Sequence, residues 1–109
     1  MKACKECPFH KKSAAGWIGE HNHIDEIIDY AIHDVPFPCH MEVNSLVEKG
    51  YVFKKAYKTA NNCTGQLQFM NNMCKLSRDK KIALLQKEAG RSELIFKTPT
   101  EMRSHHLEV

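Results

Sequence analysis

Apolar residues recur at helical spacing in several parts of the chain. The clearest run is "HNHIDEIIDYAIHD", in which one helical face carries Ile24, Ile27, Ile28, Ala31 and Ile32. Asn22 is the predicted N-cap of this helix, because asparagine is a favoured cap and acidic residues follow it in the first turn. The next segment, "VPFPCH", ends the helix, since its two prolines lack the backbone N–H and restrict the preceding residue.

Later segments repeat the helical pattern. Helices are predicted at residues 64–76, at 78–89 after Ser77 as N-cap, and from Thr98, which precedes Pro99 as a cap precedes a first helical residue. Residues 42–49 fit a short helix stopped at Gly50, and residues 51–57 are expected to be extended or irregular. The pattern therefore predicts a mostly α domain of about four short helices joined by irregular loops.

Length and composition agree with one ordinary globular domain. The chain has 109 residues, of which 42% are hydrophobic and 27% charged. No apolar run reaches the ~20 residues that cross a bilayer, and the charged N-terminus lacks the apolar segment of a secretory signal. We therefore expect one domain over residues 1–109 in a reducing cytoplasm without a membrane partner, with residues 1–70 as a metal-binding core and 71–109 as a basic helix and a helical tail.

Five cysteines are many for such a chain, and the odd number argues against a complete set of disulfides. Four of them form the pattern C-x2-C-x31-C-x23-C, made of Cys4, Cys7, Cys39 and Cys63. Cys39 and Cys63 lie in turn-like surroundings, where backbone amides can stabilise a thiolate. The fifth, Cys74, falls on the apolar face of the predicted helix 64–76, and we expect it to be a small buried hydrophobe. The pattern predicts a four-cysteine centre that ties down the N-terminus.

Two cofactors fit four thiolates. Tetrahedral zinc is one, and a [4Fe–4S] cluster is the other. The single, widely separated third and fourth cysteines are unlike the paired knuckles of zinc ribbons, and Pro8 follows Cys7 in a Cys-Pro step of the kind that ferredoxin-type sites contain. We therefore predict the cluster, with Zn²⁺ as the alternative. Two histidines, His10 and His40, lie close to ligand cysteines in the sequence, and Trp17 is suited to cover the centre.

The order of these motifs resembles a little-characterised family of small phage and bacterial proteins. The shared elements are "CKECPFH", a Gly-Trp segment, "PFPCH" and "CTG", and they cover residues 4–70. This chain has His10 where the family usually has arginine, and Thr64 where it often has alanine. The resemblance implies that the four cysteines act together in a protein of phage or bacterial origin, in the host cytoplasm if phage-encoded. It implies no biochemical activity.

Charge is unevenly distributed along the chain. The net charge is +3, yet residues 13–48 contain seven acids and no lysine or arginine, so the remainder carries +10. Residues 49–58 interleave rings and cations, a pattern typical of nucleic-acid binding, and residues 75–91 add a basic helix face. The candidate partner surface comprises Lys49, Tyr51, Phe53, Lys54, Lys55, Tyr57, Lys58, Arg78, Lys80, Lys81 and Lys87.

Two functions remain open from the sequence. The first is a phage-type regulatory or accessory protein that binds a host protein, a phage protein or nucleic acid, with a structural or redox-sensing cluster. The second is a zinc-stapled nucleic-acid-binding module without a redox role. Catalysis is not expected, because no P-loop, catalytic triad or dinucleotide motif is found and four thiolates leave a metal no open position.

Overall fold

A computed structural model describes residues 7–16, 23–35 and 37–107. Helices dominate these residues: α1 (Ile24–Ile32), α2 (His40–Glu48), α3 (Phe53–Thr59), α4 (Thr64–Asn72), α5 (Lys80–Ala89) and α6 (Pro99–Leu107). Extended pairing in the same residues is limited to two isolated antiparallel bridges, His10↔Ile95 and Pro38↔Asn62. The prediction of a mostly α fold is confirmed, whereas the expected number of about four helices is too low.

Helix α1 follows from its local sequence. Its apolar face is buried, with Ile27, Ile28 and Ala31 completely inaccessible to solvent. The N-cap is His23, whose Nδ1 accepts a hydrogen bond of 3.1 Å from the Asp25 amide. The predicted cap, Asn22, lies outside the described residues.

The prediction of an extended or irregular segment at residues 51–57 is wrong from Phe53 onwards. Residues 53–59 form α3, which joins α2 in a helical hairpin. Gly50 has φ of 103°, a left-handed conformation that lets the chain reverse between the two helices. Lysine and alanine are also strong helix formers, which favours a helix in these residues.

The predictions around the end of α4 are wrong as well. The helix ends at Asn72, and Cys74 lies beyond it, exposed and in a left-handed conformation with φ of 58°. Ser77 is not a helix cap; its hydroxyl is buried and donates a hydrogen bond of 2.6 Å to Asp34. The cap of α5 is Asp79, whose carboxylate accepts from the amides of the first turn.

The N-terminal loop is part of the core. Phe9 is completely buried between Phe37 and Phe69, with ring centroids 5.8 and 5.2 Å away. Rings in these tilted and edge-on arrangements stabilise a core beyond the area they bury. The loop is therefore held against α4 by packing, which fixes the position of Cys7 two residues before Phe9.

The C-terminal helix α6 packs against α1 and also holds the N-terminal loop. The predicted cap is confirmed, because the Thr98 hydroxyl accepts from the Glu101 amide at 3.1 Å. Near the other end His106 is buried, and its Nε2 lies 2.8 Å from the Pro8 carbonyl oxygen while its Nδ1 accepts from the Gly16 amide at 3.1 Å. This arrangement requires a neutral ring with the proton on Nε2. None of the described helices is both long enough and apolar enough to cross a bilayer.

We expect the stability of the protein to fall as the pH is lowered from 7.5 to 5.5. Burial lowers the pKa of His106 in the folded state, so unfolding takes up a proton below the ordinary pKa of about 6.5. The His106→Gln variant, which does not titrate, should lose less stability over the same range. Thermal unfolding at both pH values measures this; an equal loss in the two proteins would contradict the role given to His106.

Candidate metal centre

Two of the predicted ligands are brought together by a short antiparallel pairing. The Cys39 amide donates to the Asn61 carbonyl at 2.8 Å, and the Cys63 amide donates to the Phe37 carbonyl at 2.7 Å. These bonds flank the Pro38↔Asn62 bridge and place the two cysteines on adjacent segments. Each cysteine is also the N-cap of a helix, Cys39 of α2 and Cys63 of α4.

A third predicted ligand, Cys7, reaches Cys63 from the N-terminal loop. The Sγ atoms of Cys7 and Cys63 are 3.0 Å apart, and both side chains are buried. Both are free thiols. The two residues are separated by 56 positions in the sequence, so their contact depends on the packing of Phe9 and its neighbours in the core.

The two touching thiols differ in the direction of their pKa shifts. Their mutual hydrogen bond lowers the pKa of Cys63, and the same bond raises the pKa of Cys7 well above its usual value. Either sulfur can be the donor of this bond. Burial raises the pKa of Cys39, which also interacts electrostatically with the other two thiols.

Backbone amides act on all three sulfurs. Neither N-cap cysteine closes a side-chain capping bond of its helix. The amides of Met41 and Glu42 nevertheless act to lower the pKa of Cys39, and those of Gly65 and Gln66 do the same for Cys63. The Phe9 amide has this effect on Cys7. Oriented N–H groups at a helix N-terminus stabilise a thiolate, the form in which cysteine binds metals.

Because Gly65 has no side chain, it leaves room for the Sγ atoms of Cys7 and Cys63. A Cβ atom on this residue would lie 2.5 Å from the Cys7 Sγ, 3.1 Å from the Phe9 Cβ and 3.5 Å from the Cys63 Sγ. The first distance is too short for any real side chain, and Gly65 is buried within α4. The close approach of the N-terminal loop to α4 therefore requires glycine here.

The donor set fits one metal ion in part. Sulfurs that bind the same tetrahedral zinc at 2.3 Å lie about 3.8 Å apart, so the pair at 3.0 Å needs only a small shift to bind one ion. Cys39 is within electrostatic range of both, and Cys4 lies outside the described residues. Within the described ranges, no three histidine, cysteine or acidic side chains are already grouped to hold a metal.

The chain matches nothing among known protein-family models, curated proteins or solved structures. The resemblance to the phage and bacterial cysteine proteins therefore stays a prediction from motifs.

The other residues predicted near the centre have separate places. His10 is buried, and its Nδ1 accepts from the Lys12 amide at 3.0 Å. His40 is the first residue of α2, directly after Cys39. Trp17 lies outside the described residues.

Two supports of the centre were missed in the sequence. Gln66 is buried and binds the segment that leads to Cys39, since its Oε1 accepts from the Phe37 amide at 3.0 Å and its Nε2 donates to the Val35 carbonyl at 2.8 Å. Glu42 accepts two hydrogen bonds from Asn61, one from its amide and one from its side chain. These bonds join residues 19 to 31 positions apart, so no local sequence motif predicts them.

The basic residues of the predicted partner surface lie in two places. One group is on the α2–α3 hairpin, and the other is at α5, where Arg78, Lys80, Lys81 and Lys87 are exposed. The backbones of α3 and α5 do not approach within 8 Å of each other.

We expect Gly65→Ala to destabilise the protein by about 1–3 kcal/mol, because the added methyl group collides with Cys7. In an ordinary helix the same change is stabilising by up to about 1 kcal/mol. The sign of the change in the free energy of unfolding therefore shows whether the added methyl group collides with Cys7. Thr64→Ala, one position earlier, is the matched control and should change the free energy of unfolding by less than about 0.5 kcal/mol. Urea unfolding of the three proteins measures this, and a stabilised Gly65→Ala protein would refute the close approach.

Proposed function

We propose that this chain is a small metal-binding protein whose centre, made of Cys4, Cys7, Cys39 and Cys63, fixes the α2–α3 hairpin on the rest of the fold and so presents it to a partner. The contact between the Cys7 and Cys63 sulfurs carries the proposal, because it joins the N-terminal loop to the start of α4. A centre of four thiolates is structural, since no coordination position is left for a substrate.

The attachment of the hairpin supports this role. The backbones of α2 and α3 approach each other closely and approach none of the other four helices within 8 Å. The hairpin enters through Cys39 and leaves towards Cys63, and the Pro38↔Asn62 bridge closes its base. A metal held by both cysteines would add bonds at this base, so metal binding and hairpin orientation are coupled.

The spacing of the sulfurs favours a single ion over a cluster. In a cubane cluster each thiolate binds a different iron, so the ligand sulfurs are farther apart than on one ion. The 3.0 Å between Cys7 and Cys63 is closer to the single-ion spacing. Zinc is therefore the metal we propose. The assay of zinc, iron and sulfide described next also tests the [4Fe–4S] prediction and its redox-sensing role.

Removing a ligand should remove the metal. Cys39→Ser and Cys63→Ser are expected to lose the bound metal, and Cys74→Ser, whose thiol is exposed and lies beyond the opposite end of α4 from Cys63, should keep it. Proteins are purified without oxygen, and zinc, iron and sulfide are assayed together with the visible spectrum. One colourless zinc per chain supports the proposal; about four irons and four sulfides would replace zinc by the cluster, and loss of metal from Cys74→Ser alone would refute the ligand set.

Chelation should loosen the hairpin before the rest of the fold. After metal removal we expect hydrogen exchange of the amides in α2 and α3 to increase by tenfold or more. The amides of α4, which packs against α1 and α5, and of α6, which packs against α1, should change less. Mass spectrometry of exchanged peptides measures both. A uniform increase over all helices would mean that the metal stabilises the whole domain and does not act at the hairpin base.

A further inference from the structure

The hairpin carries a patch of positive charge without acids. Residues 49–60 contain four lysines and no aspartate or glutamate, and all four lysines, Lys49, Lys54, Lys55 and Lys58, are exposed. Glu42, on the preceding helix, is held by Asn61 at the hairpin base. The remaining acid of the hairpin, Glu48, lies just before this stretch. The patch is therefore suited to an anionic partner.

Aromatic rings are exposed among these lysines. Phe53 is 48% exposed and Tyr51 is 37% exposed, which is unusual for rings of this size. The Lys55 ammonium lies 5.5 Å from the centre of the Tyr51 ring, so cation and ring form one surface. Tyr57 is half-buried, and its pKa is raised by burial and by Tyr30 of α1, which identifies it as the ring that faces the body of the protein.

The basic face of α5 lacks this combination. Residues 75–91 contain no aromatic residue, and Asp79 and Glu88 lie among their cations. This face can attract an anion, but it offers no ring on which a base can stack. It therefore serves as an internal comparison of charge without stacking.

We infer that the hairpin patch, defined as Lys49, Tyr51, Phe53, Lys54, Lys55 and Lys58, binds single-stranded nucleic acid. The lysines neutralise phosphates, and the exposed faces of Phe53 and Tyr51 stack on bases. Stacking on a protein ring needs unpaired bases, so a single strand fits this surface better than a duplex. The inference rests on the proposed function in one respect, because the metal centre is what holds the patch in place.

The first test compares two triple variants of the metal-loaded protein. Binding of a fluorescent 20-nucleotide single strand is measured by anisotropy between 50 and 300 mM salt. Replacing Lys54, Lys55 and Lys58 by glutamine should weaken binding at least tenfold and lower the slope of log K against log salt by about 2. Replacing Lys80, Lys81 and Lys87 by glutamine removes the same charge from α5 and should change the affinity less than threefold.

The second test separates stacking from charge. Phe53→Ala should weaken single-strand binding about tenfold and leave the salt slope unchanged. Leu84→Ala, which removes a 62% exposed apolar side chain from α5, is the matched control and should bind as the parent protein does. A duplex of the same sequence should bind more weakly than the single strand.

Four results would overturn the inference: no binding by metal-loaded protein at 50 mM salt, equal losses in the two triple variants, an unchanged affinity in Phe53→Ala, or competition by polyglutamate as effective as by the oligonucleotide. The last would assign the patch to an acidic protein. Metal is assayed in every sample, so the two proposals fail separately. Nucleic-acid binding that persists without metal would contradict the role of the centre and leave the binding surface intact.

Discussion

The contact between Cys7 and Cys63 is the point at which the N-terminal loop, the core helix α4 and the base of the α2–α3 hairpin meet. It joins the N-terminal loop to the first turn of α4, and it is allowed only because Gly65 has no side chain. Packing of Phe9 between aromatic rings from two other segments, together with hydrogen bonds of the N-terminal loop to α6 and to Phe96, brings the thiols together. Two buried thiols gain little from a mutual hydrogen bond, so this use of core space is better explained by a ligand that both bind.

The same contact connects the core of the protein with the base of the α2–α3 hairpin. Cys63 belongs at once to the core, through α4, and to the base of the α2–α3 hairpin, through its pairing with Phe37. A metal bound at this point would therefore add bonds between the core and the base of a hairpin whose Cα atoms all lie more than 8 Å from those of the other described helices. The exposed lysines and rings of α3 lie on that hairpin.

Local signals allowed α1 and α6 to be predicted from the sequence, because isoleucine spacing and the Thr98-Pro99 start act within one or two turns. Local signals did not predict the start of α3 or the end of α4. Residues 51–57 fit an extended or irregular segment by their pattern, yet Gly50 turns the chain and α3 forms from Phe53. At Cys74 the apolar spacing of α4 continues past the point where the chain leaves the helix.

Candidate ligands could be named from the sequence, whereas the arrangement of their side chains could not be. The turn-like surroundings of Cys39 and Cys63 marked both as candidate ligands, and both prove to be helix N-caps. The contribution of Gln66, and the reason for glycine at position 65, depend on segments that meet only in the fold. Tertiary contacts of this kind leave no periodic or motif signal in a single sequence.

X-ray absorption spectroscopy of the metal in protein purified without oxygen is the decisive test of the four-cysteine centre. We predict a zinc edge with a shell of four sulfurs at about 2.3 Å and no nitrogen or oxygen ligand. A shell that contains nitrogen or oxygen, or fewer than four sulfurs, would contradict the four-cysteine centre.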